Sequence, residues 1–258
     1  MASKGEVSVA LWGPSLSGKT SFLSHLYLHQ GSFRGDWNIF PTKEGEKFID
    51  EVRERLARSE FPDATAAGMV RNVSYGFRNI RTGQEARLFV EDRAGKDSTD
   101  LDDEAKTRLN QANGLVVLFD PEVHLRDLEK QIESTLGKLH TARDGGLRQD
   151  TRPIAVCLSK ADYLIKTPED LVRALTSPRE FVTENVPGDI LAWLSNFCSN
   201  FELFAISSLG VRGGFGVVEP VLFYDERCKA RIGAGGEPIN LIEPFAWIFK
   251  RLSEAAVK

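Results

Sequence analysis

Short apolar segments alternate along the chain with longer segments in which apolar residues recur at helical spacing. Six apolar segments have the length of β-strands, namely 7–12, 70–79, 86–91, 114–120, 154–159 and 202–207. Seven longer segments have the pattern of helices, namely 20–29, 44–59, 102–112, 122–143, 168–175, 189–200 and 238–252. Such alternation is typical of βαβ units and predicts an α/β fold with a mostly parallel sheet.

Two of the predicted strands, at residues 115–119 and 154–158, are almost uninterrupted apolar runs. Strands in the middle of a parallel sheet are covered on both faces, and such runs are their usual pattern. Segment 70–77 alternates less cleanly, which favours a position near the sheet edge. Glycine-rich stretches on both sides of the apolar run 217–224 predict a hairpin or a flexible excursion before the last helix.

The first predicted strand runs into a segment that fits the phosphate-loop pattern G-x-x-x-x-G-K-[ST]. Between a strand and a helix, the glycines let successive N–H groups converge on phosphate oxygens, and the helix N-terminus favours the anion. Lys19 would reach the β- and γ-phosphates, and the Thr20 hydroxyl would ligate Mg²⁺. The predicted nucleotide-binding residues of this element are Gly13, Pro14, Ser15, Leu16, Ser17, Gly18, Lys19, Thr20 and Ser21.

The composition limits the partners and the compartment. The net charge is −4 and the basic residues are scattered, whereas a nucleic-acid-binding protein is expected to carry a basic face. No apolar run approaches the length of a membrane span, and the first residues lack a signal core. The three cysteines have no paired metal spacing and are an odd number for a disulfide framework. We therefore expect a cytoplasmic protein without a nucleic-acid partner or a membrane span.

An Asp-x-x-Gly element, Asp92 to Gly95, follows the third predicted strand. In nucleotide switches an Asp at a strand end supports Mg²⁺ through water, and the glycine N–H meets the γ-phosphate. By itself the element is a weak signal, because many turns begin with Asp. Its position beside the phosphate loop favours the switch interpretation.

Two further elements lie at strand ends, where open α/β sheets bind their ligands. The first is Ser159-Lys160-Ala161-Asp162. Its carboxylate, on Asp162, can accept hydrogen bonds from both N1–H and the 2-amino group of guanine, a donor pair that adenine lacks. The stem of Lys160 would cover one face of the base. The second element follows the sixth strand, where a backbone N–H can meet the guanine O6, and it comprises Ser207, Ser208 and Leu209.

These four elements, in this order, resemble the translation-factor-related and Ras-like class of P-loop GTPases. Residues 114–121 (Gly-Leu-Val-Val-Leu-Phe-Asp-Pro) and 61–65 (Phe-Pro-Asp-Ala-Thr), the latter preceded by an extra helix, are similar to the bacterial double-GTPase group. The resemblance covers nearly the whole chain. It implies a single small-GTPase-like, three-layer domain over residues 1–258, with a mostly parallel six-stranded sheet. Insertions are expected at about 31–64, 176–200 and 211–237.

The resemblance also implies a function, namely a molecular switch that hydrolyses GTP to GDP and phosphate with Mg²⁺. In this class a threonine before the second strand closes over the metal and the γ-phosphate. Thr65 is in that place here, with Thr42 as the alternative. The expected metal ligands and supports are Thr20, Thr65 and Asp92. The expected catalytic residues are Lys19, Thr65, Gly95 and Lys96.

Two residues depart from the pattern of the class. Ser159 replaces the usual Asn or Thr, which predicts a weaker structural hydrogen bond, and Lys96 replaces a glutamine that orients the attacking water. A charged ammonium cannot accept a proton from water, although it can stabilise developing negative charge. We therefore predict slow turnover without an activating partner or a dimer mate, with Arg93 as a less favoured source of a catalytic cation. The alternative function is a non-hydrolysing guanine-nucleotide adaptor that recruits an effector.

The remaining chemistry-bearing residues have simpler interpretations. The histidines are dispersed without ligand spacing, and surface or packing roles are expected for His25, His29, His124 and His140. An ATPase or nucleotide kinase is disfavoured by the Asp in the fourth position of element 159–162, because that carboxylate has no donor pair to meet on adenine.

Overall fold

The computed structural model of the chain describes residues 7–14, 16–29, 37–60, 70–83, 85–93, 103–121, 125–142, 148–186, 190–214, 217–227, 229–233 and 235–256. A central sheet runs through this part of the chain. In chain order its strands are β1 (Val7–Trp12), β2 (Trp37–Pro41), β3 (Val70–Asn79), β4 (Glu85–Arg93), β5 (Gly114–Phe119), β6 (Ile154–Leu158) and β7 (Phe201–Ala205).

The sheet has the strand order β2-β3-β4-β1-β5-β6-β7. The five strands from β4 to β7 in this order are parallel, whereas β3 is antiparallel to β4 and β2 is antiparallel to β3. The sequence predicts six strands, and the seventh is β2, which lies at the edge outside β3. The predicted α/β class with a mostly parallel sheet is confirmed.

Helices cover both faces of the sheet, which gives three layers. The described helices are α1 (Lys19–Leu28), α2 (Lys43–Ala57), α3 (Asp103–Gln111), α4 (Leu125–Ala142), α5 (Pro168–Thr176), α6 (Pro178–Asn185), α7 (Ile190–Phe197) and α8 (Glu243–Ala256). One core cluster joins the sheet to α1, α2 and α8, and another joins it to helices α3 to α7. Among the described residues, no helix is both long enough and apolar enough to cross a membrane.

Alternation along β1 shows how one strand serves both layers. Val9 and Leu11 belong to the core cluster under α1 and α8, whereas Ala10 and Trp12 belong to the cluster under α3 and α4. Successive side chains of a strand point to opposite faces, so a strand covered on both sides has to be apolar throughout. The uninterrupted apolar runs in β5 and β6 have the same cause.

A smaller antiparallel sheet follows β7 directly. Its strands, in the order β12-β8-β9, are β8 (Ser207–Gly214), β9 (Val217–Pro220) and β12 (Glu237–Ile239). A separate two-stranded ladder pairs β10 (Leu222–Tyr224) with β11 (Ala230–Ile232). The predicted hairpin around residues 217–224 corresponds to this region, which starts beside the base-reading elements and therefore borders the candidate site.

The last helix starts later than its sequence pattern predicts. Residues 237–239 pair with β8 as β12, and α8 begins at Glu243 rather than at 238. Between them Asn240 adopts a left-handed backbone with φ of 49°. Its buried side-chain amide donates to the carbonyls of Ala174 and Ala205, at 2.7 and 2.9 Å. Asn240 therefore ties the end of α5 to the end of β7.

A buried ion pair lies near the amino-terminal end of β6. The guanidinium of Arg152 contacts the carboxylate of Asp150 at 2.6 Å and also donates to the carbonyls of Leu109 and Ala112. These carbonyls are at the end of α3, where helix carbonyls have no partner within the helix. The pair stabilises the sheet edge opposite to the one that carries the candidate site.

Candidate functional site

The register of the parallel strands brings the predicted site elements to one edge of the sheet. Leu11 of β1 is opposite Val90 of β4, and Trp12 is opposite Val117 of β5. Phe119 of β5 is opposite Leu158 of β6, which is itself opposite Ala205 of β7. The residues that follow each of these strands therefore leave the sheet at its carboxyl edge, where open α/β sheets bind ligands.

The phosphate loop begins at Gly13, in close contact with the neighbouring strand. A Cβ atom on Gly13 would lie 2.6 Å from the carbonyl oxygen of Leu118 and 2.7 Å from Oγ of Ser17. These distances are shorter than any normal contact, so the position requires glycine. The loop continues with a turn in which the N–H of Ser17 faces the carbonyl of Pro14 at 3.4 Å.

Two residues of the loop have left-handed backbones, namely Leu16 with φ of 64° and Gly18 with φ of 83°. Glycine adopts this conformation without cost, whereas leucine does so at about 1–2 kcal/mol. The Leu16 side chain is 74% exposed. A strained backbone of this kind persists where the surrounding structure holds it, and such positions are frequent in ligand-binding loops.

Helix α1 presents its N-terminus to the loop. Gly18 is its N-cap, and no side chain caps the helix there. The first turn contains no acidic residue. The N-terminus of a helix favours an anion through its N–H groups and its dipole. Thr20 and Ser21 lie in this first turn, and their carbonyls accept hydrogen bonds from Ser24 and His25 one turn later.

Lys19 points back across the loop. Its ammonium donates to the carbonyls of Gly13, at 2.9 Å, and Pro14, at 2.8 Å, and the residue is only 8% exposed. The loop also encloses the Oγ of Ser17, which is buried and has no hydrogen-bond partner among the described residues. A buried cation and an unsatisfied hydroxyl beside uncapped helix N–H groups are donors arranged for a phosphate.

The Asp-x-x-Gly element begins at the end of β4, the strand next to β1. Because Leu11 is opposite Val90, Asp92 lies level with Gly13 at the end of β4. In the strand register, the backbone of Asp92 is opposite that of Arg71 of β3. The strand register thus brings the backbone of Asp92 beside the phosphate loop, and its role as a metal support stays a prediction.

The base-reading element is held to the neighbouring strand ends. Ser159 is buried, and both its N–H and its hydroxyl donate to the carbonyl of Phe119 at 2.8 Å. Serine therefore makes a structural hydrogen bond at the position where the class usually has Asn or Thr. Lys160 has a left-handed backbone with φ of 52°, and the N–H of Ala161 donates to the carbonyl of Ile206.

Asp162 and Ser207 meet at the heart of this element. Asp162 lies in a 3₁₀ turn and is 3% exposed, and its Oδ1 accepts the Ser207 hydroxyl at 2.5 Å. The Ser207 oxygen in turn accepts the N–H of Gly210 at 2.9 Å. Ser208 and Leu209, both half-buried, lie between Ser207 and Gly210 in β8. The two predicted base-reading elements are therefore in direct contact.

One buried carboxylate of the site is missing from the sequence-based set. Asp120 follows β5, is 5% exposed, and its Oδ2 lies 2.5 Å from the ammonium of Lys160. The sequence contains a signal for it, since it is an acidic residue directly after a buried parallel strand. Asn240 is a second omission, and its position after a glycine-rich segment gives no such signal.

Thr42, the alternative switch threonine, has a different role in the structure. It is the N-cap of α2, and its hydroxyl accepts the N–H of Gly45 at 3.4 Å and the hydroxyl of Ser74 at 3.2 Å. It also follows β2, the edge strand, three strands away from β1. At about 4.8 Å between strands, this separation is roughly 14 Å. The contacts of Thr42 are those of a helix cap.

Several predicted site residues lie outside the described part of the chain, namely Ser15, Thr65, Gly95 and Lys96. Of the described residues, no group of three or more His, Cys, Asp or Glu side chains forms a metal cluster. Mg²⁺ is commonly held by one or two protein oxygens together with phosphate oxygens and water, and it does not need such a cluster. The donor set of the loop, with the Thr20 hydroxyl in the first turn of α1, fits a magnesium–nucleotide complex.

A buried histidine of α1, His25, lies just behind the phosphate loop. His25 is buried in α1, its Nδ1 is 2.9 Å from the carbonyl of Ser21, and its ring stacks on His29 with centroids 5.6 Å apart. Burial, together with a smaller effect of the neighbouring His29, lowers the pKa of His25 to about 4 against the opposing hydrogen bond with the Ser21 carbonyl. The ring is therefore neutral near pH 7, and its role is packing, as predicted.

Together the fold and the phosphate loop define a P-loop domain of the GTP-binding class. The sequence matches the Double-GTPase 2 family over residues 7–196, and the chain belongs to this family. No protein with a curated description matches the sequence.

Solved structures with a similar backbone include two kinds of protein. One is the bacterial selenocysteine-specific elongation factor EF-Sec, with a TM-score of 0.41 and 16% identity, where the match covers 79% of this chain and 26% of that one. Another is SsGBP in complex with GDP, with a TM-score of 0.38, 15% identity and coverage of 80% and 46%. The chain thus spans half or less of the length of these structures, and the family assignment depends on the sequence match.

Proposed function

We propose that the chain is a guanine-nucleotide switch that hydrolyses GTP to GDP and phosphate with Mg²⁺. The observation that carries this proposal is that a set of phosphate-binding groups and a set of base-binding groups lie at the same edge of the sheet. The phosphate loop offers Lys19, the Ser17 hydroxyl and the N–H groups of α1. Asp162, fixed by Ser207, offers a carboxylate to a purine with two adjacent donors.

In this proposal the phosphates are held by Lys19 and by the backbone N–H groups of residues 15–20, since Pro14 has no N–H to donate. The Thr20 hydroxyl and Thr65 ligate Mg²⁺, and Asp92 supports a water bound to the metal. Mg²⁺ held by these residues would supply positive charge to the phosphate oxygens during hydrolysis. Gly95 donates its N–H to the γ-phosphate and so distinguishes GTP from GDP.

The base is held by the other end of the site. The Asp162 carboxylate accepts from N1–H and from the 2-amino group of guanine, the stem of Lys160 covers one face, and the Ser208 N–H meets O6. Because adenine lacks the two adjacent donors, pairing it with Asp162 forgoes the two hydrogen bonds that guanine would donate to the buried carboxylate, which costs a large factor in affinity. Guanine specificity follows from this difference.

Hydrolysis is expected to be slow without help. Lys96 is positioned after Gly95, and a charged lysine cannot act as the acceptor that orients water. An activating partner or a dimer mate would then supply the missing group, and size measurements with GDP and with a non-hydrolysable GTP analogue test for a dimer. We also propose that residues 1–258 act as one GTPase domain in the cytoplasm.

The same lysine favours the second candidate, a guanine-nucleotide adaptor that recruits an effector without hydrolysis. One experiment separates the two functions. The nucleotide that co-purifies with the protein is identified first, and phosphate release from GTP is then followed with and without Mg²⁺. Guanine nucleotide with Mg²⁺-dependent release supports the switch, guanine nucleotide without release supports the adaptor, and no binding of guanine nucleotide contradicts both.

A further inference from the structure

Asp120 is buried at the carboxyl edge although the proposed function gives it no task. It directly follows β5, the strand whose Leu118 carbonyl touches Gly13 of the phosphate loop. Its Oδ2 lies 2.5 Å from Nζ of Lys160, and its side chain is 7% exposed, against 31% for the lysine. The Lys160 ammonium is therefore directed towards the strand end, while about a third of the lysine side chain remains exposed.

The backbone on both sides of Lys160 is also fixed. Ser159 donates twice to the Phe119 carbonyl, and Ala161 donates to the Ile206 carbonyl. Between them Lys160 has the left-handed conformation. With the backbone held by β5 and β7 and the ammonium held by Asp120, the stem of the lysine is fastened at both ends.

Two buried carboxylates in the described part of this edge have different partners. Asp162 accepts the Ser207 hydroxyl, and Asp120 accepts the Lys160 ammonium. A buried carboxylate is costly unless hydrogen bonds and an opposite charge compensate for lost water. The positive charge of Lys160 thus offsets the cost of burying the Asp120 carboxylate. The Asp162 carboxylate is the one that would bind the ligand.

We propose that Asp120 is a positioning residue of the base site, which holds Lys160 so that its stem forms a wall against the guanine ring. This inference rests on the proposed function. A free lysine side chain loses much rotamer freedom when a ligand immobilises it, and a lysine that is already held avoids most of this loss. Asp120 therefore raises nucleotide affinity only through Lys160, and only for ligands that carry a base.

A double-mutant cycle tests the proposal with a ribose-labelled fluorescent GDP. Asp120→Asn and Lys160→Met are each expected to weaken GDP binding, by about five- to tenfold. The double variant is expected to bind no more weakly than Lys160→Met alone, because the role of Asp120 ends once the lysine is gone. Binding of inorganic pyrophosphate, which has no base, is expected to be unchanged in Asp120→Asn.

The matched control is Asp150→Asn, which breaks the buried ion pair at the opposite sheet edge. It is expected to lower the melting temperature and to leave GDP affinity unchanged. If Asp120→Asn does not fold, Lys160→Arg replaces it, since arginine can still reach Asp120. Affinity retained with arginine and lost with methionine supports the proposal, and equal losses overturn it.

Three results would overturn the role of Asp120. They are losses of GDP affinity that add up in the double variant, an unchanged GDP affinity in Asp120→Asn, and a loss of pyrophosphate affinity in Asp120→Asn as large as its loss of GDP affinity. These outcomes require that the wild-type protein binds GDP. A wild-type protein that binds no GDP instead overturns the proposed function, and this inference with it.

Discussion

The hydroxyl of Ser207 donates to Oδ1 of Asp162 across 2.5 Å, and this bond joins the turn after β6 to the strand after β7. The same hydroxyl oxygen accepts the N–H of Gly210, so the serine is held from both sides. Gly210 itself has no room for a side chain, because a Cβ there would lie 1.7 Å from the carbonyl oxygen of Glu237. The orientation of Asp162 is therefore fixed by the fold before any ligand arrives.

Ser207→Ala is expected to weaken GDP binding about tenfold and to lower the free energy of unfolding by about 2 kcal/mol. The variant removes a hydrogen bond to a buried charged group and leaves the Gly210 N–H without its acceptor. Isothermal titration with GDP and thermal unfolding measure the two effects. Ser208→Ala is the control, since it keeps the backbone N–H; an equal loss in this control would show that Ser207 has no special part in orienting Asp162.

Gly13→Ala is expected to destabilise the protein by about 1–3 kcal/mol and to abolish measurable GDP binding. The added methyl group meets the Leu118 carbonyl and the Ser17 hydroxyl, and both contacts force the loop to move. Gly137→Ala in α4 is the matched control, since the nearest atom to its Cβ is 3.9 Å away. That change is expected to stabilise the helix slightly. Normal GDP affinity in Gly13→Ala would contradict the assignment of the loop.

Acid is expected to destabilise the protein through His25. Its pKa is about 4 in the folded chain against 6.5 in the unfolded chain, so the unfolded chain binds more protons between these values. Stability from this residue is complete above pH 6.5 and is lost as the pH falls towards 4. From pH 7.5 to pH 5 the loss is about 2 kcal/mol.

The measurement is the free energy of unfolding at both pH values for wild type and His25→Gln. The variant is expected to lose about 2 kcal/mol less than wild type over this interval. An unchanged pH dependence in His25→Gln would mean that His25 is not the group responsible.

Lys96→Ala tests whether the Lys96 ammonium takes part in hydrolysis. If the ammonium stabilises charge that develops on the γ-phosphate, its removal is expected to slow single-turnover GTP hydrolysis by about tenfold or more. GDP affinity is expected to be nearly unchanged, because the effect is confined to the transition state. A rate equal to that of wild type removes Lys96 from the mechanism.

Much of this architecture follows from local patterns in the sequence. The strands β1, β3, β5 and β6 are predicted within one residue at each end, because each is a compact apolar or alternating run. The carboxyl ends of the parallel strands β1, β6 and β7 also carry the predicted phosphate-loop and base-reading elements, since parallel strands bring their carboxyl ends to one edge of a sheet. The contact between Asp162 and Ser207 thus joins two elements that the sequence predicts separately.

The elements that the sequence does not predict depend on partners far along the chain. Only Ile39 of β2 is buried, so this edge strand has too little apolar pattern to be recognised. β8 contains Gly210, Gly213 and Gly214, which favour turns, and it becomes a strand by pairing with β9 and β12. Asp120 is visible as a residue type, but its ion pair with Lys160 exists only once β5 and β6 lie side by side.

The most direct test of the account is the base specificity of Asp162→Asn. The asparagine keeps an oxygen for the Ser207 hydroxyl but offers an N–H₂ group where the carboxylate accepted guanine donors. Equilibrium binding of GDP, ADP and xanthosine diphosphate is measured for wild type and variant. Wild type is expected to prefer GDP by a large factor. The variant is expected to lose about a hundredfold in GDP affinity and to gain affinity for xanthosine diphosphate, whose C2 carbonyl accepts from the amide. Equal binding of GDP and ADP by the wild-type protein, or unchanged GDP affinity in the variant, would contradict it.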